Sequence, residues 1–388
     1  MGVGGKKERG DFMKNSKIGY LDGIRGIAAF VVVLNHMVAL FYPGFYGGVI
    51  HTSNSLETTL RNSPFYVFIN GHFAVCLFFI LSGFVLSYKF FNTWDKEVIR
   101  EAVIKRYFRL VIPVVFSIFL AYLFMKIGLF YNQEAVLITQ SNWGVFWNFE
   151  PEFIPMLKDA FVDTFINYSP GTYNMVLWTM THEFIGSLVV FAMLFIVSGF
   201  KKKQRFIFYI LAIIYYRNAY TSGFIVGMMM CDYYCNINWK FLKNEIFSWI
   251  LFISGLLIGS YYLKIDSVLQ PGFVDMEKSY FLIGGTMVIF GLLNSDILQK
   301  FFSIKPILWL GQISFSMYII HLLIFGTFSC YVFVKIYGVF NYNMAFVVTI
   351  IPSLIIMFIS SHYIHRYMDM GGVKLSKKVY TLLTKKEV

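Results

Sequence analysis

Charged residues are scarce in this chain, at 14% of its 388 residues, whereas a soluble domain carries about 25%. Hydrophobic residues make up 57% of the chain. These values exclude a soluble globular fold. They indicate an all-α, polytopic integral membrane protein, because helices satisfy their own backbone hydrogen bonds in a lipid bilayer. Few of the apolar runs are interrupted, since most of the nine prolines lie in predicted loops.

Cysteine is also rare, and the four cysteines lie inside apolar segments. Cys231 and Cys235 stand about one helical turn apart, but no histidine lies near them and there is no second cysteine pair. We therefore expect no metal site. The cysteines are interpreted as small apolar residues that pack in the helices.

The chain shows no cleavable apolar core before residue 20 and no attached soluble domain. We expect residues 1–17 to form a cytoplasmic tail and residues 18–365 to form the membrane domain. We predict that residues 366–388 form a basic cytoplasmic C-terminal tail. No internal repeat or pair of interrupted helices is visible, which counts against a common transporter architecture.

Ten apolar runs predict about ten transmembrane helices. The runs fall at about 23–42, 72–91, 110–130, 174–200, 205–218, 219–236, 247–263, 279–294, 307–328 and 343–364. The fifth and sixth runs are the weakest, because together they cover only 32 residues. Arg217 and Asn218 mark the turn predicted between them.

The distribution of positive charge supports an even number of spans, with both termini in the cytoplasm. Only seven of the 33 lysines and arginines then lie outside, as the positive-inside rule requires. Topology therefore explains the net charge of +12 and removes nucleic acid as a partner. Merging the two weak runs would place the basic C-terminus outside. The seven outside residues are Arg61, Lys126, Lys158, Arg217, Lys264, Lys278 and Lys335.

Arg25 and His36 share one face of the first predicted helix. They are eleven residues apart in the run DGIRGIAAFVVVLNHM, so they differ by about 20° in direction and roughly 16 Å in height. Ionisable residues at membrane depth are costly and indicate a functional site. A snorkelling arginine and a histidine bonded to a neighbouring helix would also explain the pair.

Two other ionisable residues are predicted at a similar depth. Glu183 follows His182 in LWTMTHEFIGS, and His321 follows Ser314, Ser316 and Tyr318 in ISFSMYIIH. Three ionisable groups at one level favour a reaction centre or an ion path over isolated structural residues. In the former case, His36 would act as a base and the Glu183 carboxylate would orient it and stabilise the imidazolium.

Arg106 and Arg109 predict an anion site near the cytoplasmic boundary. Their spacing in KRYFRL places both side chains on one helix face, and with Arg25 they would form a cationic pocket. Taken alone, the two arginines are also explained by topology or by anchoring to lipid headgroups.

The long outside loop at about 131–173 is acidic and aromatic. Such side chains suit a polyhydroxylated acceptor, because aromatic rings stack on it and carboxylates accept its hydrogen bonds. A lid that merely packs on the bilayer surface is the alternative. The side chains concerned are Glu134, Glu150, Glu152, Asp159, Asp163, Trp143, Phe146, Trp147, Phe149 and Phe153.

The sequence resembles the membrane-bound O-acyltransferases of acyltransferase family 3. YLDGIRGIAAFVVVLNHM, FFILSGFVLSY, KRYFRL, LWTMTHEFIGS and ISFSMYIIH occur in the family's order, over about residues 18–365. The resemblance implies about ten transmembrane helices and transfer of an acyl group, usually acetyl, from cytoplasmic acyl-coenzyme A. The acceptor implied is a hydroxyl group, often of a carbohydrate.

The resemblance also implies roles for individual residues. His36 corresponds to the catalytic base, and Glu183 and His321 join it as catalytic candidates. Arg25, Arg106 and Arg109 are the implied donor-site residues, and we assign Trp178, Tyr318 and Ser82 to substrate binding. Cys76 and His182 depart from the family's usual residues, an acid and a small apolar residue, and would alter the acceptor pocket.

We therefore expect a multi-pass acyl-coenzyme A-dependent O-acyltransferase of the plasma or inner membrane that needs no metal. A proton-coupled transporter or a lipid-linked sugar flippase is the alternative, with the histidines and Glu183 as a proton relay. The basic inner mouth favours the enzyme. A structural or sensory membrane protein would leave Arg25 and His36 without a role.

Overall fold

The computed structural model describes residues 18–46, 55–168, 172–217, 219–236, 244–260 and 276–384. These residues are almost entirely helical, and they contain no β-strand beyond one isolated bridge between Tyr337 and Phe340. The all-α prediction is thus confirmed for the described part of the chain. The predicted N-terminal tail at 1–17 lies outside it.

Eleven longer helices form the frame, and each of the ten predicted apolar runs coincides with one of the first ten. In chain order they are α1 Gly19–Phe41, α2 Gly71–Thr93, α3 Lys96–Lys126, α4 Trp178–Val197, α5 Lys202–Tyr215, α6 Thr221–Asn236, α7 Glu245–Ser260, α8 Met276–Asn294, α9 Lys305–Ile324, α10 Tyr342–Ile364 and α11 Met370–Thr384.

Shorter helical segments fill the connections. The α-helical ones are Ser55–Arg61, Asn132–Thr139, Phe153–Lys158, Thr164–Ile166, Asp296–Phe302 and Cys330–Ile336. The 3₁₀ segments are Pro43–Tyr46, Pro64–Phe68, Asn142–Val145 and Met175–Leu177. The π-helical segments are Asp159–Asp163, Phe325–Ser329 and His365–Asp369.

Six helical segments are long and apolar enough to cross a membrane, and a seventh span results if α8 and the helix after it count together. That pair is bent by 100°. Helices α5, α6 and α7 have 14, 16 and 16 residues, and 16 residues reach only about 24 Å at 1.5 Å per residue. An integral membrane protein is therefore supported, whereas the count of ten and the side of each terminus stay predictions.

Two helical stretches lie outside the predicted apolar runs. They are the first half of α3 and the whole of α11. Helix α3 begins at Lys96, where the Asp95 side chain accepts the hydrogen bond of the Glu97 backbone N–H. Its first half is charged, and a search for apolar runs misses it for that reason. The predicted C-terminal tail is largely the helix α11, which packs along α3. Tyr380 of α11 donates a hydrogen bond of 2.7 Å to Glu97.

The weak fifth and sixth runs are two separate helices. Arg205 of α5 donates from Nε and Nη2 to Asp232 of α6, at 2.7 and 3.1 Å. Tyr209 donates to the same carboxylate at 2.8 Å. Arg205 lies near the start of α5 and Asp232 lies near the end of α6, so the two helices form an antiparallel pair. A buried charge pair of this kind compensates the cost of placing either charge at membrane depth.

Close helix packing depends on small residues, as is usual where lipid removes the hydrophobic drive between helices. A Cβ placed on Gly227 of α6 would lie 1.9 Å from the backbone oxygen of Ile80 in α2. A Cβ on Gly83 of α2 would lie 2.0 Å from the oxygen of Phe224. Only glycine allows the two backbones to approach this closely.

Helices α1 and α9 are parallel and touch at another glycine pair. A Cβ on Gly26 would lie 2.4 Å from the backbone nitrogen of Gly311, and one on Gly311 would lie 2.3 Å from the backbone oxygen of Asp22. His36 and His321 each follow by ten residues, or about 15 Å along the two helices. The glycine contact therefore determines the registry in which the two histidines meet.

We expect Gly311→Ala to cost about 1–3 kcal/mol of stability, because its Cβ would overlap a backbone that cannot rotate away. Acyl-transfer activity should fall as well, since α1 and α9 would separate. Gly371→Ala is the matched control, because a Cβ there meets nothing within 4 Å. Thermal unfolding of the purified protein in detergent measures both. Equal melting temperatures for the two variants would contradict the close contact.

Candidate active site

The imidazole rings of His36 and His321 form a pair between α1 and α9. His36 Nδ1 lies 3.1 Å from His321 Nε2, and the ring centroids are 5.1 Å apart. His321 is fully buried, whereas His36 is half-buried. The two residues predicted at one depth are therefore in direct contact.

Backbone carbonyls assign the protons of this pair. His321 Nδ1 lies 3.2 Å from the Met317 oxygen, and His36 Nδ1 lies 3.0 Å from the Val32 oxygen. A carbonyl only accepts, so each Nδ1 carries the hydrogen. His321 Nε2 is then a lone-pair acceptor, and it shares the His36 Nδ1–H with the Val32 oxygen. His36 Nε2 remains as the unprotonated nitrogen, which is the state that a general base requires.

A pocket of about 190 Å³ lies near the histidine pair. Six of the nine predicted site residues line it, namely Arg25, Arg106, Arg109, Ser82, Glu183 and Tyr318. His36, His321 and Trp178 do not. The sequence therefore identified six residues of one pocket, and they come from five separate helices.

Glu183 and Arg106 form an ion pair in the wall of the pocket. Arg106 Nη2 donates to Glu183 Oε1 and, at 3.3 Å, to the Glu183 backbone oxygen. The Ser82 hydroxyl lies 2.9 and 3.1 Å from the two carboxylate oxygens. Arg106 is buried, and its Nε has no hydrogen-bond partner among the described residues. That N–H is therefore a buried donor without a partner in the described part of the chain.

The expected pairing of Glu183 with His36 is wrong as a direct contact. The partners of the Glu183 carboxylate are Ser82 and Arg106, and His321 is the side chain that contacts His36. Glu183 comes from α4 and lines the pocket, whereas the two histidines do not. The shared depth of the three groups stays a prediction.

The other two pocket arginines differ from Arg106. Arg25 donates to Asp22 Oδ1 at 2.5 Å, one turn earlier in α1. Arg109 is exposed at the pocket. Asp369, which accepts from His365 at 2.9 Å if Nδ1 carries the proton, also lines the pocket. The cluster is rich in guanidinium groups, which bind carboxylates and phosphates by paired hydrogen bonds.

Tyr318 connects the pocket with the histidine pair. It lines the pocket, and its ring centroid is 6.0 Å from that of His321. Its hydroxyl donates to the Val176 oxygen at 2.5 Å and lies 2.7 Å from Thr179 Oγ1. These bonds attach the ring to the start of α4. The Tyr318 ring thus adjoins both the pocket and His321, and its hydroxyl is held by the start of α4.

Trp178 lies apart from the pocket, in an aromatic group with His182 and Tyr220. Its ring centroid is 5.6 Å from that of His182 and 5.3 Å from that of Tyr220. The role of Trp178 in substrate binding stays a prediction. The unusual residue His182 is surrounded by rings at this position, and Phe79 is a third neighbour at 6.1 Å.

The loop at about 131–173 is held by contacts between its own residues. Trp147 stacks on Phe130 at 4.0 Å and donates from Nε1 to the Tyr173 oxygen at 2.9 Å. Asp159 accepts from Thr164 Oγ1 at 3.0 Å and from the Tyr173 N–H at 3.3 Å. Burial raises the pKa of the Asp159 carboxyl, although these two hydrogen bonds oppose the rise. These contacts hold the loop together.

A family model described as an acyltransferase domain matches residues 18–362. The chain belongs to acyltransferase family 3. An O-acetyltransferase named PaAT-1, from Phomopsis amygdali, is 21% identical over an alignment of 434 residues that covers 95% of this chain and 85% of the relative. No solved structure gives a significant match. The reaction class of this family member is therefore acyl transfer.

Sequence reasoning missed two residues of the candidate site. Asp22 was detectable, because it precedes Arg25 by three residues and such pairs meet on a helix. Asp369 was not detectable, since it reaches the pocket from the segment that was predicted as a tail. Trp143 was predicted as part of the acceptor loop, but its contact with the His36 ring was not predicted. No group of three potential metal ligands occurs among the residues that the structure describes.

We expect Glu183→Gln to cost about 3 kcal/mol of stability, because Arg106 would keep its charge in a buried place without a counter-charge. The double variant Arg106→Gln/Glu183→Gln should be less destabilised than the single one. Denaturant unfolding in detergent micelles measures the difference. Asp163→Asn is the control, since its lysine partner is 68% exposed and such pairs contribute at most about 1 kcal/mol. An equal loss in Glu183→Gln and the control would contradict the buried pair.

Proposed function

We propose that this acyltransferase moves an acetyl group from cytoplasmic acetyl-coenzyme A to a hydroxyl group of a carbohydrate or glycoconjugate. The observation that carries the proposal is the contact of His36 with His321 next to a pocket that contains three arginines. The pair supplies a base and the pocket supplies an anion site. The family and the O-acetyltransferase relative support the same reaction.

His36 is the base of the proposed reaction. Its Nε2 takes the proton of the acceptor hydroxyl as the oxygen attacks the thioester carbonyl carbon. The carbon–sulfur bond breaks, and the departing thiolate takes the proton back from the imidazolium. His321 acts through His36 as a positioning residue, because its Nε2 accepts the Nδ1–H throughout.

The arginine pocket is the proposed donor site. Coenzyme A carries several phosphate charges, and guanidinium groups bind phosphate oxygens through paired, charge-assisted hydrogen bonds. The pocket volume of about 190 Å³ is below the roughly 300–1,000 Å³ of usual ligand sites. We infer that it holds only part of the donor, with the phosphates at the exposed Arg109.

The acceptor is proposed to approach His36 from the side of the outside loop. The Trp143 ring of this loop lies 6.5 Å from the His36 ring, and carbohydrate recognition commonly uses such rings together with carboxylates. Glu150 and Glu152 are exposed on the same loop. These features support a polyhydroxylated acceptor.

The direct experiment uses purified protein in liposomes, radiolabelled acetyl-coenzyme A and a panel of candidate glycans. We expect label to move to one acceptor class as a base-labile ester. Recovery of label only in acetyl-coenzyme A, under conditions where the protein is folded, would contradict the proposed function.

We expect His36→Ala to reduce acetyl transfer by on the order of 10²–10⁴, the usual contribution of a general base. His321→Ala should cause a smaller loss. The double variant should be no slower than His36→Ala alone, because the two residues act as one unit. His362→Ala is the control, since His362 is exposed on α10. Initial rates with quantified protein measure the effect, and wild-type rates in His36→Ala would exclude its role.

We expect Arg109→Ala to weaken acetyl-coenzyme A binding by roughly ten- to a hundredfold, the loss of one charge-assisted hydrogen bond. The wild-type affinity should fall as salt rises, and less so in the variant. Arg100→Ala is the matched control on the same helix, because Arg100 is 61% exposed and pairs with Glu97. Calorimetric titration measures both. Equal affinities in the two variants would show that the phosphates do not bind at Arg109.

A further inference from the structure

Trp143 covers the histidine pair from the side of the outside loop. Its indole ring lies edge-on to His36, with centroids 6.5 Å apart, and also 6.5 Å from the ring of Phe325. Phe325 in turn lies 6.0 Å from His321. Trp143 is only 3% exposed although it belongs to a connecting segment. Two apolar rings therefore flank the two imidazoles.

The position of the Trp143 ring is fixed by its own backbone. Asn132 Nδ2 donates to the Trp143 oxygen at 2.8 Å and to the Phe146 oxygen at 3.0 Å. Asn132 is 1% exposed, so these bonds lie away from water. The neighbouring Tyr131 N–H donates to the Gly326 oxygen at 2.9 Å. The loop is thus bonded both to itself and to the π-helical segment that follows α9.

Trp147 provides a contrast within the same loop. Its stacking on Phe130 and its hydrogen bond to Tyr173 hold the two ends of the loop together. The contacts of Trp143 with His36 bring it to the base itself. An aromatic ring there is not explained by anchoring alone.

Water competes with any hydroxyl acceptor for a base beside a thioester. His36 Nε2 can take a proton from water as readily as from an alcohol. The water oxygen then attacks the carbonyl carbon, the carbon–sulfur bond breaks, and the thiolate regains the proton. The products are acetic acid and the free thiol, and the donor is wasted. Closed sites prevent such side reactions by excluding water.

We propose that Trp143 excludes water from His36 and so directs the acyl group to the acceptor in place of hydrolysis. The inference rests on the proposed function and assigns Trp143 as a specificity-determining residue of that site. In the absence of an acceptor, its ring occupies the approach to His36 from the side of this loop. Removing the ring admits water and leaves the base intact.

The test measures acetyl-coenzyme A hydrolysis by the full-length protein in nanodiscs, without any acceptor. Release of free thiol and of labelled acetate is followed together. We expect Trp143→Ala to raise hydrolysis by on the order of tenfold over wild type. The double variant His36→Ala/Trp143→Ala should return to the background rate, because the water is activated by His36. Trp143→Phe should restore most of the protection.

Trp147→Ala is the control for loosening of the loop. Its hydrolysis rate should stay close to wild type, and an equal increase in both variants would overturn the role of Trp143. Unchanged hydrolysis in Trp143→Ala that binds acetyl-coenzyme A normally would also overturn it. Should Trp143→Ala fail to fold, Trp143→Leu gives the same comparison with a smaller gap. If wild type itself binds no acetyl-coenzyme A, the proposed function fails and this inference fails with it.

Discussion

The glycine contact between α1 and α9 sets the geometry on which the rest of the site depends. Gly26 and Gly311 let the two backbones touch, and from there each helix continues for ten residues to its histidine. A small residue at both positions is needed because a helix diameter with ordinary side chains keeps axes about 8–10 Å apart. The 3.1 Å separation of the imidazole nitrogens is thus produced by packing at the far end of the helices.

Two buried guanidinium groups show how a charge inside the bundle is either structural or available to a ligand. Arg205 uses Nε and Nη2 on Asp232 and Nη1 on the Phe200 oxygen, at 3.3 Å. Each of its nitrogens has a protein partner. Arg106 has the carboxylate of Glu183, but its Nε is left without one among the described residues. The first arginine holds a hairpin together, whereas the second keeps hydrogen-bonding capacity beside the pocket.

The sequence predicted the helices and most of the charged residues of the pocket, because period and polarity are local properties. Arg106 and Arg109 share a helix face by spacing alone, and Arg25 and His36 do so as well. The pairing of histidines from α1 and α9 was not predictable, since it follows from the glycine contact between distant helices. The first half of α3 was missed because it is charged. Trp143 was placed in a loop, and only its fold shows that it turns inward.

The end of the described chain forms part of the arginine pocket. The π-helical turn His365–Asp369 aims Asp369 into the pocket, and a Cβ on Gly372 would lie 2.5 Å from the backbone oxygen of Arg109. Helix α3 therefore acquires its final neighbour only after more than 260 further residues have been synthesised. During translation, Arg106 and Arg109 are therefore made long before the residues that complete the pocket. The ribosome must pass residue 372 before the pocket has all its walls, so a nascent chain has no complete binding site.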